Sequence, residues 1–407
     1  FCAFNDVAIL AAVRTPWVDV GGALAQVSPI DLGIKVGREV LARSGLAPEA
    51  VDSVLAGSMA QASFDAYMLP RHIGLYSGVP QQVPALAVQR ICATGFELLR
   101  QAGEQIGAGA QLALCVGSES MSRNPIAAYS HRGGFRLGAP VEFKDFLWEA
   151  LYDPAPGLDM IATAENLAKR HGLSREAVDR FALDSHQLAL QAQGSGWFED
   201  EIVAVRNEVF ELQGYQPRGI ALPRRCEAVT ADSHPRPTDL PALARLTAIH
   251  PEGVQTAGNS CAVVDGAAAA LVGRASLSER PPLANLLATA VVGVAPEVMG
   301  IGPVPAIQLL LQRSGLSLDA IGLLEINEAQ GAQVLAVAQA LELDGERLNR
   351  RGGSIALGHP LAATGLRLVL TLARQLRERN LRYGIAAACV GGGQGMAVLI
   401  ENPDFRG

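Results

Sequence analysis

Leu41-Ala-Arg-Ser-Gly-Leu-Ala-Pro-Glu-Ala-Val51 and Leu311-Gln-Arg-Ser-Gly-Leu-Ser-Leu-Asp-Ala-Ile321 are one phrase written twice, 270 residues apart. At the same offset Ala93-Thr94-Gly95 returns as Ala363-Thr364-Gly365, each ahead of an apolar helical pattern. Leu114-Cys115-Val116-Gly117 is answered by Ala388-Cys389-Val390-Gly391, at an offset of 274. One such match is chance among common residues. Three in order, at a nearly constant offset, point to a duplicated unit.

Within the first copy, strand and helix patterns alternate. Residues 7–13 read as a strand and residues 30–44 as an amphipathic helix stopped at Gly45. Residues 51–56 are again strand-like, 95–106 helical, and 111–116 a buried strand. This alternation predicts α/β architecture. The stretch between the copies, residues 121–250, is richer in charge, Pro and turn signals, among them Asp153-Pro-Ala-Pro-Gly157 and His234-Pro-Arg-Pro237. It holds one helical region, 163–193, with a break at Gly172-Leu-Ser174 and a stop at Gly194; Ser174 suits an N-cap. It reads as an insert over one face. The predicted division is residues 1–120, continuing at about 251–275, for the first half, then the insert, then residues 276–407 for the second half.

Composition narrows the class. Apolar residues are 49% of the 407 and charged residues 18%, so a large core is available and wholesale disorder is excluded. The net charge of −7 argues against a nucleic-acid partner. No apolar run approaches the length of a membrane span; residues 284–295 are among the longest. The six cysteines form no CxxC pair, so neither a disulfide scaffold nor a zinc site of familiar spacing is indicated. A reducing, cytoplasmic setting is expected, with an organelle left open.

Four places carry candidate chemistry. Cys92 stands between an extended run, 83–91, and a helix beginning near Ala93, where a helix N-terminus would lower its pKa. His359 sits between Gly358 and Pro360, in apolar company, three residues before the repeat position equivalent to Cys92. Cys389 ends a strand and runs into Gly391-Gly-Gly393, suited to backbone N–H donation rather than to nucleotide binding. Asn327-Glu328 follows an apolar strand, where open α/β sheets place ligands.

With these residues in view, the chain resembles the thiolase family, the acetyl-CoA C-acyltransferases. The resemblance rests on Cys92-Ala-Thr-Gly, Asn327-Glu-Ala, Gly353-Ser-Ile-Ala-Leu-Gly-His-Pro360 and Cys389-Val-Gly-Gly-Gly-Gln-Gly395. Arg14-Thr-Pro, Thr163-Ala-Glu-Asn and Thr256-Ala-Gly-Asn-Ser support it, and the matches run from about residue 8 to 400. It implies duplicated βαβαβαββ halves in a five-layered αβαβα fold, with residues 121–250 as a CoA-binding loop domain. It implies reversible thiolysis of 3-ketoacyl-CoA or condensation of acetyl-CoA through an acyl-Cys92 intermediate. His359 would take the thiol proton, Cys389 would be the second acid/base, and Asn327 would hold a water that stabilises an enolate with His359. The N–H groups of Cys92 and Gly391 would form the other oxyanion hole. Met160, Arg236, Ser260 and Cys261 would lie near CoA. No resident cofactor or metal is implied, since CoA is substrate and product; the partners are acyl-CoA, CoA and further copies in a dimer or tetramer. A ketoacyl synthase of the same fold, or a non-catalytic acyl-CoA-binding subunit, are the competing readings.

Three positions depart from the family pattern. Gln330 stands where an aromatic is usual, Ser260-Cys261-Ala262 where the stretch usually continues with a small residue, Ser and Gly, and Asp159 where a His often precedes the Met. All three fall on the expected pocket, and Gln330 is expected to widen or polarise it.

Overall fold

A computed structural model describes residues 1–59, 63–129 and 131–407. In chain order, the principal strands are β1 (Ala8–Arg14), β2 (Ser53–Gly57), β3 (Ala85–Ala87), β4 (Leu112–Glu119), β5 (Val264–Gly273), β6 (Ala284–Gly293), β7 (Ile321–Ile326), β8 (Tyr383–Val390) and β9 (Gln394–Glu401). They line up as β7-β8-β9-β6-β1-β5-β4-β2-β3. Read outward from the β6–β1 join, the order is a palindrome of the repeat: β1 answers β6, β5 answers β9, β4 answers β8 and β2 answers β7. The join is slight, pairing only Ala284 with Ile9 and Asn285 with Ala8.

The repeated phrase that opens the sequence ends a helix in each half. In α1 (Pro29–Ser44), the Ser28 side chain accepts from the Ile30 N–H, Pro29 opens the first turn and Gly45 closes it at φ 74°. The later copy, helix Pro303–Ser314, closes on Gly315 at φ 68°. Only a residue without a side chain takes that conformation cheaply, which explains why Arg-Ser-Gly recurs.

Helices α2 (Leu69–Tyr76) and α3 (Thr94–Gly107) complete the first half. The second half has its counterpart of α3 in Leu361–Glu378. Three apolar cores separate five layers. One, with Ile30, Leu32 and Ile73, lies between α1, α2 and their strands. The central one joins Phe96 and Leu99 of α3 to Leu366, Val369 and Leu372 of the opposing helix and to the inward residues of both halves. The third packs Ile307 and Leu310 of Pro303–Ser314 on β6 to β9. This is the αβαβα arrangement.

The stretch between the halves contributes α4 (Met160–His171) and α5 (Arg175–Gly194), separated where expected: Gly172 takes φ 63° and the Ser174 side chain caps α5. Buried Arg14 ties this stretch to β1, since its guanidinium meets Asp232 at 2.7 Å and Glu201 at 3.1 Å. Among the described residues no helix is long and apolar enough to cross a membrane.

Candidate functional site

The chain turns sharply from β3 into α3, and Cys92 sits on the turn. Residues 83–91 are extended only in part. Ile91 takes φ 45°, a costly conformation for a β-branched residue, and opens the short 3-10 turn Ile91–Ala93. Thr94 holds that turn: its hydroxyl accepts the Arg90 N–H at 2.9 Å and donates to the Ile91 carbonyl at 2.7 Å.

Cys92 does not show the lowered pKa expected of a helix N-terminus. Burial pushes its thiol up to about 11. The backbone N–H groups of Gly391 and of Cys92 itself act on the sulfur in the opposite direction, without offsetting burial. In this state Cys92 is a protonated thiol with two backbone donors beside it.

The same Thr, one repeat later, serves His359. The His359 Nδ1 lies 2.6 Å from Thr364 Oγ1, and that hydroxyl is 3.3 Å from the Pro360 carbonyl. If the hydroxyl donates to the carbonyl, it accepts from Nδ1–H. Nε2 is then the acceptor, and Asn327 Nδ2 donates towards it at 3.3 Å. Burial, aided by the positive charge of Arg367, lowers the His359 pKa to about 3, so the ring is neutral and able to take a proton. Gly358 allows the tight approach, at φ 96° and with Val264 so near that a Cβ would sit 2.4 Å from its methyl.

Asn327 leaves the end of β7 with its amide fixed at both ends. Its Oδ1 accepts from Ser354 Oγ at 2.7 Å while its Nδ2 faces His359. Glu328, the next residue, turns the other way. Its buried carboxylate accepts from Ser185 Oγ, Asn349 Nδ2 and the Ile355 N–H, pinning the loop that carries His359. Cys389, at the end of β8, is fully buried beside Met160, Met299 and Ala329. Burial raises its pKa, and negative charge on Cys92 or Cys261 would raise it further.

Two adjoining cavities take in Cys92 and His359, while Asn327 and Cys389 line neither. One, of about 190 Å³, is lined by Cys92, Gly391, Tyr152 and Pro154. The other, of about 140 Å³, is lined by His359, Ser260, Cys261 and Gln330. Leu151, Met160 and Leu361 line both. Thus Cys92 and His359 line neighbouring cavities that share a wall, and Met160, Ser260 and Cys261 line them too. Arg236 lines neither cavity. Its guanidinium lies 2.7 Å from His234 Nε2, and the other ring nitrogen of His234 is 2.6 Å from Asp19.

Residues 7–276 match the family model for the thiolase N-terminal domain, and residues 280–402 that for the C-terminal domain. The chain belongs to the thiolase family. It is 40% identical over 404 residues to the mitochondrial 3-ketoacyl-CoA thiolase of Bos taurus, covering 98% of each chain. It is also 40% identical over 410 residues to the beta-ketoadipyl-CoA thiolase of Pseudomonas aeruginosa, covering 98% of this chain and 99% of that one. The crystal structure of human mitochondrial 3-ketoacyl-CoA thiolase in complex with CoA superposes with a TM-score of 0.91 at 38% identity, over 97% of this chain and 98% of the other. This thiolase is an acyltransferase acting on acyl-CoA, by thiolysis or by condensation.

Sequence reasoning overlooked Thr364 and Ser354 beside His359 and Asn327, and offered Glu328 only as half of a polar pair at a strand end. Thr364 had a signal, since Ala-Thr-Gly occurs in both halves and Thr94 does a related task beside Cys92. Trp148 and Leu151 had none, because nothing in residues 121–250 shows which apolar residues turn inward.

Proposed function

We propose that Cys92 is the acyl carrier, His359 its base and Cys389 the carbon acid/base. The carrying observation is that Cys92 and Gly391 line one cavity while His359, with Asn327 Nδ2 3.3 Å from its ring, lines the next. In thiolysis His359 Nε2 takes the Cys92 proton, and the sulfur attacks the ketone carbon of a 3-ketoacyl-CoA. The bond between that carbon and the α-carbon breaks. Its electron pair stays on the α-carbon as an enolate, and Cys389 delivers a proton there, releasing acetyl-CoA. A CoA thiol then gives its proton to the Cys389 thiolate and attacks the acyl thioester. Cys92 leaves as thiolate and recovers its proton from His359, so every group returns to its starting state. Condensation is the reverse.

The ketone oxygen gains negative charge as Cys92 adds, and the N–H groups of Cys92 and Gly391 suit it. The enolate oxygen falls to His359 with Asn327. Asn327 can present its Nδ2–H there or orient a water, because Ser354 leaves the amide one choice of orientation. Met160, on the wall the two cavities share, is assigned to the CoA arm, which needs no resident cofactor, and Ser260 and Cys261 to the wall of the His359 cavity beside it. The reading includes a dimer or tetramer in the cytoplasm; an organelle, as the names of the mitochondrial relatives specify for them, is the alternative.

The test is mass spectrometry of the protein after acetoacetyl-CoA with CoA, and after acetyl-CoA alone. Acyl mass on the Cys92 peptide and release of acetyl-CoA are expected. Cys389→Ser should keep acylation and lose carbon–carbon exchange, and Cys92→Ala should lose both. Acylation of the unaltered protein without any carbon–carbon cleavage would sink the assignment.

A further inference from the structure

Gln330 poses a problem that neither the fold nor the reaction answers. It is 5% exposed, and its Oε1 is buried without a hydrogen-bond partner. It occupies the N-cap position of helix Gly331–Ala340, yet its side chain does not cap that helix. Instead, it lines the cavity of His359, Ser260 and Cys261. Its backbone is held in place by a bridge to Ser260 and by the Gly331 N–H donating to Asn259. A buried amide oxygen with no partner is costly unless a ligand supplies one.

The cavity also restricts what that partner is. Among the described residues no lysine or arginine lines it; Asp159 does, but its carboxylate caps the Ala162 N–H and lies 3.0 Å from His250 Nε2. A carboxylate tail would therefore meet no lysine or arginine to pair with. Leu361, Val263, Met121 and Trp148 supply the rest of an apolar wall. A hydroxyl fits: neutral, it can donate to the Gln330 oxygen or accept from the amide nitrogen, whichever way the amide is turned.

We propose that Gln330 is a specificity residue, selecting 3-ketoacyl-CoA esters whose acyl chain carries a hydroxyl group over those with a plain alkyl chain. This rests on the thiolase chemistry argued above and adds the class of acyl chain.

The experiment compares kcat/KM for thiolysis of plain 3-ketoacyl-CoA with that of chains of equal length hydroxylated at each successive carbon beyond the ketone. The unaltered protein should favour one hydroxylated isomer by about ten- to a hundredfold. In Gln330→Leu that ratio should collapse towards one, and in Gln330→Asn, with the amide drawn back by a methylene, it should fall or move to another isomer. Equal kcat/KM for plain and hydroxylated chains in the unaltered protein overturns the inference while leaving the thiolase reading intact, and needs no variant to fold. So does a Gln330→Leu effect of the same size on every substrate, which would make Gln330 a CoA or structural contact. Absence of cleavage for every chain, with no acyl group on Cys92, would remove the thiolase reading and this inference together.

Discussion

Gly95 and Gly365, equivalent residues of the two halves, touch backbone to backbone where α3 crosses the helix Leu361–Glu378. A Cβ on Gly95 would lie 2.6 Å from the Leu366 nitrogen, and one on Gly365 would lie 2.5 Å from the Phe96 nitrogen. The obstructing atoms are main chain in both directions, so neither helix can yield by turning a side chain. The crossing also fixes the distance between Cys92, just before α3, and His359, just before the other helix.

Gly95→Ala is therefore expected to destabilise the protein by about 1–3 kcal/mol through overpacking, and to lower kcat as well. Chemical denaturation and steady-state kinetics of the same sample check this. A variant as stable and active as the parent would show that the crossing has slack.

The Cys92 thiol, pushed up to about 11 by burial, is protonated at neutral pH. Alkylation by iodoacetamide without substrate should be slow at neutral pH and climb roughly tenfold per pH unit in the alkaline range, as the thiolate fraction grows. A fast, pH-independent reaction would instead mean a standing thiolate–imidazolium pair.

His359 has its pKa lowered to about 3 from the ordinary 6.5, because burial favours the neutral ring. The unfolded chain thus binds a proton that the folded chain refuses. The stability from this residue is complete above about 6.5 and is lost as pH falls from there towards 3. Denaturation at about pH 7 and about pH 4.5 should show a smaller loss for His359→Gln than for the parent. Equal losses would place the acid sensitivity elsewhere.

Thr364 holds His359 Nδ1 and lines neither cavity. Thr364→Val should lower kcat by about ten- to a hundredfold with little change in KM, since a loosened ring takes protons less efficiently. Thr364→Ser keeps the hydroxyl and should restore most of the rate. A Thr364→Val variant as fast as the parent beside a slow Thr364→Ser would mean that the methyl and not the hydrogen bond is what matters.

The duplication was legible because it is a pattern of small residues that backbone geometry enforces: the Gly45 and Gly315 stops and the Gly95 and Gly365 crossing. Cys92, His359 and Cys389 were legible as residue types in turns and at strand ends. Their ionisation was not, because burial of Cys92 is set by Met59, Met121 and Leu361, which come from distant parts of the chain. Arg236 shows the converse. Its motif is plain in the sequence, yet its guanidinium is taken up by His234, a partner that only the folded loop reveals.

The position of β5 bears on how the protein is made. It lies between β1 and β4, with Ala269 paired to Val13 on one side and Val116 on the other. On the ribosome, β1 and β4 both wait for a neighbour that is not synthesised until residue 269 has emerged. Two long strand edges stay open through translation of the whole intervening stretch, which makes folding slow and leaves the nascent chain prone to aggregation. A stall or cleavage before residue 264 would release a fragment with Cys92 but without β5 to close the sheet around it, a natural client for a chaperone.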